Sequence, residues 1–185
     1  VNWGSPQSSS LSGPTTLATA AFDSSLCGFA ARDCIPQPGT TVKLDPMREV
    51  VMWAVRYRRF ATYESLVGNF TVDTGASNHA GIRWFELRRS GGSWSMFQQG
   101  TYSPDNRHRW IGSAAMDGDG NLALAFNVAD GTSTYPSIRV TGRQPADAPG
   151  VMTVSELELQ AGSSAQTVGH SPEQWGASSA LSVDP

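Results

Sequence analysis

The chain has 185 residues, of which 39% are hydrophobic and 16% are charged, proportions typical of one globular domain rather than of a disordered chain. Its net charge of -3 provides no basic field, so nucleic acid is not an expected partner. No apolar run approaches the length that crosses a bilayer, so we expect no membrane insertion.

Residues 1–42 form an N-terminal segment that contains both cysteines and one plausible strand, TTLATAAF. Cys27 and Cys34 lie in the loop SLCGFAARDCIPQPG, and we predict a disulfide between them, with two free thiols as the alternative. The bond would stabilise the fold by about 2.5 kcal/mol in an oxidising compartment. Together with the Ser-, Thr- and Gly-rich composition, it favours a secreted or cell-surface protein.

Beyond this segment, short apolar runs alternate with turns rich in Gly, Pro, Asn and Asp, which is typical of an all-β protein. The runs fall into two groups of four predicted strands. The first group, within residues 43–102, has its strands at 47–58, 63–72, 81–89 and 93–102. The second group, within residues 109–162, has its strands at 109–117, 121–128, 136–143 and 152–160.

The two groups are related by sequence repeats. Ile82-Arg83 in the first group recurs as Ile138-Arg139 in the second, 56 residues later. The stretch WIGSAAMDGD at 110–119 recurs as WGASSALSVD at 175–184, 65 residues later. Four-stranded units that repeat at this interval predict the blades of a β-propeller, because each small sheet buries its faces only against neighbouring sheets. The small residues of IGSAA and GASSA suit the innermost strand of a blade.

The runs QQGTYSPDNRHRWIGSAAMDGDGNLALAF, YPSIRVTGR and SSALSVDP resemble a group of secreted bacterial β-propeller proteins, loosely related to sialidase-like repeat proteins. The resemblance covers about residues 34 to 185 and implies a bacterial, exported propeller without a settled activity. It implies two complete blades, an outer strand of a partial blade in residues 1–42, and a loop and inner strand of a further blade in residues 163–185.

Two blades and one strand do not close a ring, and an open end would leave strand edges and an apolar blade face in water. Two interpretations therefore stay open. Either the sequence is a fragment of a longer protein, or several copies complete the ring as a homo-oligomer.

The turn MDGDGN carries oxygen ligands at alternate positions, from Asp117, Asp119 and Asn121. This pattern begins an EF-hand loop and makes Ca²⁺ a candidate, although the acidic ligand expected further along is missing. Gly118 and Gly120 also suit an ordinary hairpin turn between two strands. We favour the hairpin and otherwise expect no cofactor.

Binding loops are expected on one rim of the propeller, at 73–80, 103–109, 129–136 and 163–174. These loops and the strands that follow them contain our candidate ligand-binding residues: His79, Arg107, His108, Arg109, Trp110, Tyr135, His170 and Trp175. Arg107 and Arg109 could clamp a carboxylate or acidic sugar; the alternative is that one pairs with Asp105 and the other is solvated. The two tryptophans could stack on sugar rings, or could pack between blades. Three scattered surface histidines are the alternative to a shared histidine site.

The main functional prediction is recognition of an extracellular glycan or glycoconjugate by these loops. One alternative is a sialidase-like glycoside hydrolase, for which Asp105, Glu173 and Tyr135 are the weak catalytic candidates, since no motif fixes them. A third prediction is a structural module that self-associates through exposed blade edges.

Overall fold

The computed structural model describes residues 2–10, 13–28, 31–48, 51–75, 78–167, 174–177 and 180–183. Within these ranges the chain contains a 3-10 helix at Pro6–Ser8, no α-helix, and eight strands, which confirms the predicted all-β class. The strands are β1 (Val51–Arg59), β2 (Glu64–Asp73), β3 (Ala80–Arg89), β4 (Ser95–Tyr102), β5 (His108–Met116), β6 (Leu122–Ala129), β7 (Ser137–Arg143) and β8 (Val154–Gln160). None of the helical structure in the described ranges is long and apolar enough to span a membrane.

The strands form two four-stranded antiparallel sheets, each in the order of the chain. Sheet 1 has the order β1-β2-β3-β4, and sheet 2 has the order β5-β6-β7-β8. These strands follow the predicted ones within a few residues. The run TTLATAAF was predicted as a strand, but it is not one, and the nearby pairing is an isolated bridge between Asp23 and Asp73.

The two sheets pack against each other, mainly through contacts of β5 with β1, β2 and β3. We call the facing sides of the sheets their inner faces and the opposite sides their outer faces. The alternation of β2 sets its faces, because successive side chains point to opposite sides of a strand. Val67, Asn69 and Thr71 are buried on the inner face, whereas Phe70 is only half-buried on the outer face.

The small residues of β5 allow this strand to be enclosed on both sides. Every residue of β5 after His108 is buried, since sheet 1 covers one side and the described residues 174–177 and 180–183 lie along the other. The Leu181 N–H donates a hydrogen bond to Ser113 Oγ at 2.8 Å. The described part of 174–183 contains no strand, so it does not form the predicted inner strand as a paired element.

A bulge interrupts β5 between Trp110 and Ser113, where the pairing with β6 shifts register. Ile111, inside the bulge, has a φ of 49°, which is unusual for a β-branched residue. Its backbone N–H donates a hydrogen bond to Thr71 Oγ1 in sheet 1 at 3.1 Å. The bulge therefore turns a backbone donor of one sheet toward the other sheet.

The N-terminal segment contributes to the core at one end of the sheets. Cys27 and Cys34 form the predicted disulfide. Ile35 and Leu44 form an antiparallel bridge, and both are fully buried beside Trp110. The disulfide loop is thus packed onto the beginning of β5.

Candidate functional site

Three of the four predicted loops meet at one rim of the molecule. Thr74, after β2, lies 3.3 Å from Ser103, after β4, measured between the two hydroxyl oxygens. Arg107, before β5, donates a hydrogen bond from Nε to Thr134 Oγ1 in the loop after β6 at 3.0 Å. The loops of both sheets therefore form one continuous surface, which we call the rim site. The fourth loop, 163–174, is described only in part.

Aspartates at the ends of β2 and β6 organise the rim loops. Asp73 Oδ1 accepts hydrogen bonds from the backbone N–H groups of Gly75 and His79. Asp130 Oδ1 accepts three such bonds, from Thr132, Ser133 and Thr134. Burial alone would raise the pKa of Asp130, but these backbone donors hold it well below its usual range. Each turn is therefore held by a carboxyl group within the loop itself, and the one at Asp130 is ionised at neutral pH.

His79 and His108 form a pair beneath these loops, with ring centroids 5.0 Å apart. His79 Nδ1 lies 2.9 Å from Thr74 Oγ1, and His108 Nδ1 accepts a hydrogen bond from the Ala80 N–H at 3.3 Å. Burial, together with the neighbouring His79, lowers the pKa of His108 to about 4. At neutral pH, His108 is therefore an uncharged acceptor that joins the beginnings of β3 and β5.

The two candidate arginines do not form an open anion clamp. Arg109 is fully buried, and its guanidinium donates to Glu156 Oε1 at 2.5 Å and to Asp105 Oδ1 at 2.8 Å. Arg107 donates to Asp105 Oδ2 at 2.8 Å and lies 3.7 Å from Asp130 Oδ2. Both arginines pair with Asp105, so the pairing in the alternative is observed, but neither arginine is simply solvated. Arg109 in particular is inaccessible to a ligand carboxylate.

Asp105 is held as a carboxylate by these arginines. Burial alone would raise its pKa, but the hydrogen bonds from Arg109 and Arg107 lower the pKa far below its usual range. A carboxyl group that stays ionised at neutral pH cannot donate a proton to a leaving group. The geometry therefore does not suit Asp105 as a general acid.

A shallow polar depression of about 460 Å³ lies on the rim site between the loops after β4 and β6. It is lined by Asp105, Asn106, Arg107, Asp130, Gly131 and Thr132. Of these six residues, the sequence predicts only Asp105 and Arg107 as site residues. The other four lie in two turns that the sequence does indicate, an Asp-Gly-Thr turn directly after β6 and a Pro-Asp-Asn turn before β5.

Both candidate tryptophans belong to the core rather than to an exposed sugar platform. Trp110 is fully buried, and Trp175 packs partly buried beside it with ring centroids 6.5 Å apart. Sugar stacking on Trp110 is therefore wrong for this structure, because neither face of its ring reaches solvent. Trp110 and Trp175, which occupy equivalent positions in the sequence repeat, pack in the same hydrophobic cluster.

The turn MDGDGN is a hairpin that joins β5 to β6. Asp117 accepts hydrogen bonds from the N–H groups of Asp119 and Asn121, and its second oxygen accepts one from the Asn121 side chain. These contacts confirm the hairpin. Calcium binding there stays a prediction, and no group of three or more His, Cys, Asp or Glu in the described ranges is arranged to hold a metal ion.

Among the remaining candidates, Tyr135 does not line the rim depression. Tyr135 is half-buried, and its carbonyl accepts a hydrogen bond from Ser137 Oγ at 2.7 Å. His170 and Glu173 lie outside the described residues. The structure thus brings together His79 with His108, and Asp105 with Arg107 and Arg109.

Comparison with known proteins gave no match. No protein-family model, no curated protein and no solved structure matches the chain.

Proposed function

We propose that this protein is an extracellular recognition module that binds a neutral glycan at the rim site. The observation that carries the proposal is the polar depression, which is formed by the loop before β5 and the loop after β6. Loops held on a rigid sheet scaffold are where binding residues commonly occur.

The chemistry of the depression favours a neutral, hydroxyl-rich ligand. Its two carboxylates, Asp105 and Asp130, outnumber its one guanidinium, Arg107, so the depression repels an acidic sugar. A carboxylate has about four acceptor sites, and Asp105 and Asp130 retain some of them after their internal contacts. Asn106 is exposed, and its amide makes no hydrogen bond to the described part of the chain. An amide beside carboxylates can donate to and accept from sugar hydroxyls.

The proposed architecture is of propeller type, with each sheet as one blade. Supporting it, polar side chains on the second strand of each sheet hold the next Trp-led segment. Thr71 in β2 accepts from the Ile111 N–H, and Asn127 in β6 donates to the Trp175 carbonyl at 3.1 Å. Residues 174–177 and 180–183 therefore lie on sheet 2 much as β5 lies on sheet 1. The disulfide supports an extracellular location, because such bonds persist in oxidising compartments.

The test uses purified protein on a panel of neutral and acidic oligosaccharides, followed by calorimetry on any neutral glycan retained. Asn106→Ala and Thr132→Ala are expected to weaken its binding at least about tenfold each, because a lost polar contact to a hydroxyl is costly. Asp119→Asn, in the exposed hairpin at the β5-β6 turn, is the matched control and should bind as the parent protein does. Retention of no neutral glycan, or binding that both rim variants leave intact, would contradict the proposal.

A further inference from the structure

The outer face of sheet 1 carries an open apolar groove. The groove has a volume of about 460 Å³, and one end is crossed by residues 17–24 of the N-terminal segment. The sheet residues that line it are Val51, Phe70, Phe85, Leu87 and Met96. Val51 keeps 53% of its surface exposed. Large apolar side chains gathered on one exposed face indicate an interaction surface.

The outer face of sheet 2 carries a second apolar groove, on the opposite side of the molecule. This groove has a volume of about 440 Å³, and it lies between the sheet and residues 181–183. Val154 and Leu157 on β8 line it and remain 50% and 61% exposed. The molecule therefore presents two apolar sheet faces, one at each end of its pair of sheets.

The internal repeat shows what each outer face corresponds to. Phe70 lies opposite Arg83 on the outer face of sheet 1, and Phe126 lies opposite Arg139 on the inner face of sheet 2. That inner face is covered by sheet 1, since Phe126 packs in the same cluster as Ile82. The outer face of sheet 1 is thus the counterpart of a face that another sheet covers.

The same comparison applies to sheet 2. Its outer face carries Asn127, the counterpart of Thr71 on the inner face of sheet 1, since both bind the backbone of a Trp-led segment. The inner face of sheet 1 is the one that covers sheet 2. The outer face of sheet 2 therefore corresponds to the inner face of sheet 1. The outer face of sheet 1 corresponds to the inner face of sheet 2. Because the two inner faces pack against each other, the two outer faces are complementary in the same way.

Charge also distinguishes the two ends. Residues 51–102 contain six arginines and three carboxylates, which leaves a net charge of +3. Residues 103–162 contain four arginines and seven carboxylates, which leaves a net charge of -3. Contact between unlike ends is electrostatically favoured, whereas contact between like ends is opposed.

We infer that the two outer faces bind each other between copies of this chain, so that the outer face of sheet 2 in one copy covers the apolar groove of sheet 1 in the next. The contact is head-to-tail, because the two surfaces differ. It involves the residues that line the two grooves, on β1 to β4 in one copy and mainly on β7 and β8 in the next. This surface is distinct from the rim site, so association and glycan binding can be tested separately.

The experiment alters each of the two outer faces separately. It measures association of the full chain by sedimentation velocity over a wide concentration range. The parent protein is expected to form dimers and larger species. Val51→Asp breaks only the groove of sheet 1, and Leu157→Asp breaks only the face of sheet 2. Each variant alone should sediment as a monomer, because it retains only one of the two complementary faces. An equimolar mixture of the two should form a dimer and nothing larger, since one productive contact remains.

Both substitutions fall on side chains that are more than half exposed in the chain, so circular dichroism and thermal melting should show that both variants fold. Trp3→Asp is the matched control, because Trp3 is 87% exposed and lines neither groove, and it should associate as the parent does. A parent protein that stays monomeric at all concentrations overturns the inference. So does a single variant that still dimerises, which would indicate a symmetric contact through one face.

Discussion

Sheets 1 and 2 share strand order and pairing, yet their first strands differ in burial. In β5 every residue after His108 is buried, whereas β1 exposes Val51, Val55 and Tyr57. The sequences fit these environments, because β5 is rich in Gly, Ser and Ala while β1 carries large and charged side chains. The difference shows that a first strand becomes a core strand only when it has a neighbour on each face.

The largest effect should come from the buried arginine of β5. Arg109→Met is expected to destabilise the fold by about 4 kcal/mol, because it removes the buried guanidinium that pairs with both Glu156 and Asp105. Arg58→Met in β1 is the matched control, since Arg58 is only half-buried, and it should cost under about 0.5 kcal/mol. Urea denaturation measures both. Equal losses of unfolding free energy in the two variants would contradict the difference in burial between β5 and β1.

Acid should loosen the contact between the beginnings of β3 and β5. The folded pKa of His108 is about 4, below the ordinary histidine value of 6.5. The folded state therefore binds fewer protons than the unfolded state, and stability is lost as pH falls from about 6.5 to 4, by up to about 3 kcal/mol. Protonation at Nδ1 also removes the acceptor for the Ala80 N–H.

His108→Gln keeps a polar side chain at this position but does not titrate, so it should flatten the pH dependence over this interval. Urea midpoints measured between pH 7 and 4 provide the check. An unchanged slope in the variant would contradict the assignment of this acid sensitivity to His108.

A smaller loss is expected where β5 approaches sheet 1 most closely. A Cβ at Gly112 would lie 2.4 Å from Asn69 Oδ1 on the inner face. Gly112→Ala should therefore force the two sheets apart and cost about 2 kcal/mol. Gly92→Ala, in the β3-β4 turn, has no atom within 4 Å of the added Cβ and should be nearly neutral. Thermal melting compares the two, and similar melting temperatures would show that the sheets can separate freely.

The smallest effect concerns the hydrogen bond that crosses between the sheets. Thr71→Val keeps the shape of the side chain but leaves the Ile111 N–H without its acceptor, at a cost of about 1 kcal/mol. Thr101→Val, which removes a contact to Arg83 on the outer face, should cost less because Thr101 is exposed. Chemical denaturation measures the unfolding free energy of both variants. A larger loss for Thr101→Val than for Thr71→Val would contradict a stabilising role for the hydrogen bond at the bulge.

Much of the fold could be predicted from local sequence. Alternating apolar residues between turn signals placed all eight strands, and the Asp-Gly pattern at Asp117 placed the hairpin. The loops that meet at the rim followed from the repeat, because equivalent loops in successive four-stranded units lie at the same end.

The errors concern burial, which depends on distant partners. Arg109 is enclosed by Glu156, 47 residues away, and no local pattern reveals that pairing. Trp110 was ambiguous for the same reason, since a tryptophan at a strand start serves either a core or a surface. TTLATAAF had strand-like composition, but its placement across the face of sheet 1 depends on contacts with Gln99 and Arg83 rather than on strand pairing.

The aspartate turns at Asp73 and Asp130 have a consequence for how new specificities could arise. In each turn one carboxylate binds backbone N–H groups, and these bonds do not depend on the identity of the side chains. In the Asp130 turn the hydroxyls of Thr132 and Ser133 also donate to the carboxylate. Exchange of these two residues would lose the hydroxyl contacts and keep the backbone contacts, so that varied side chains could be displayed on a backbone path that stays the same.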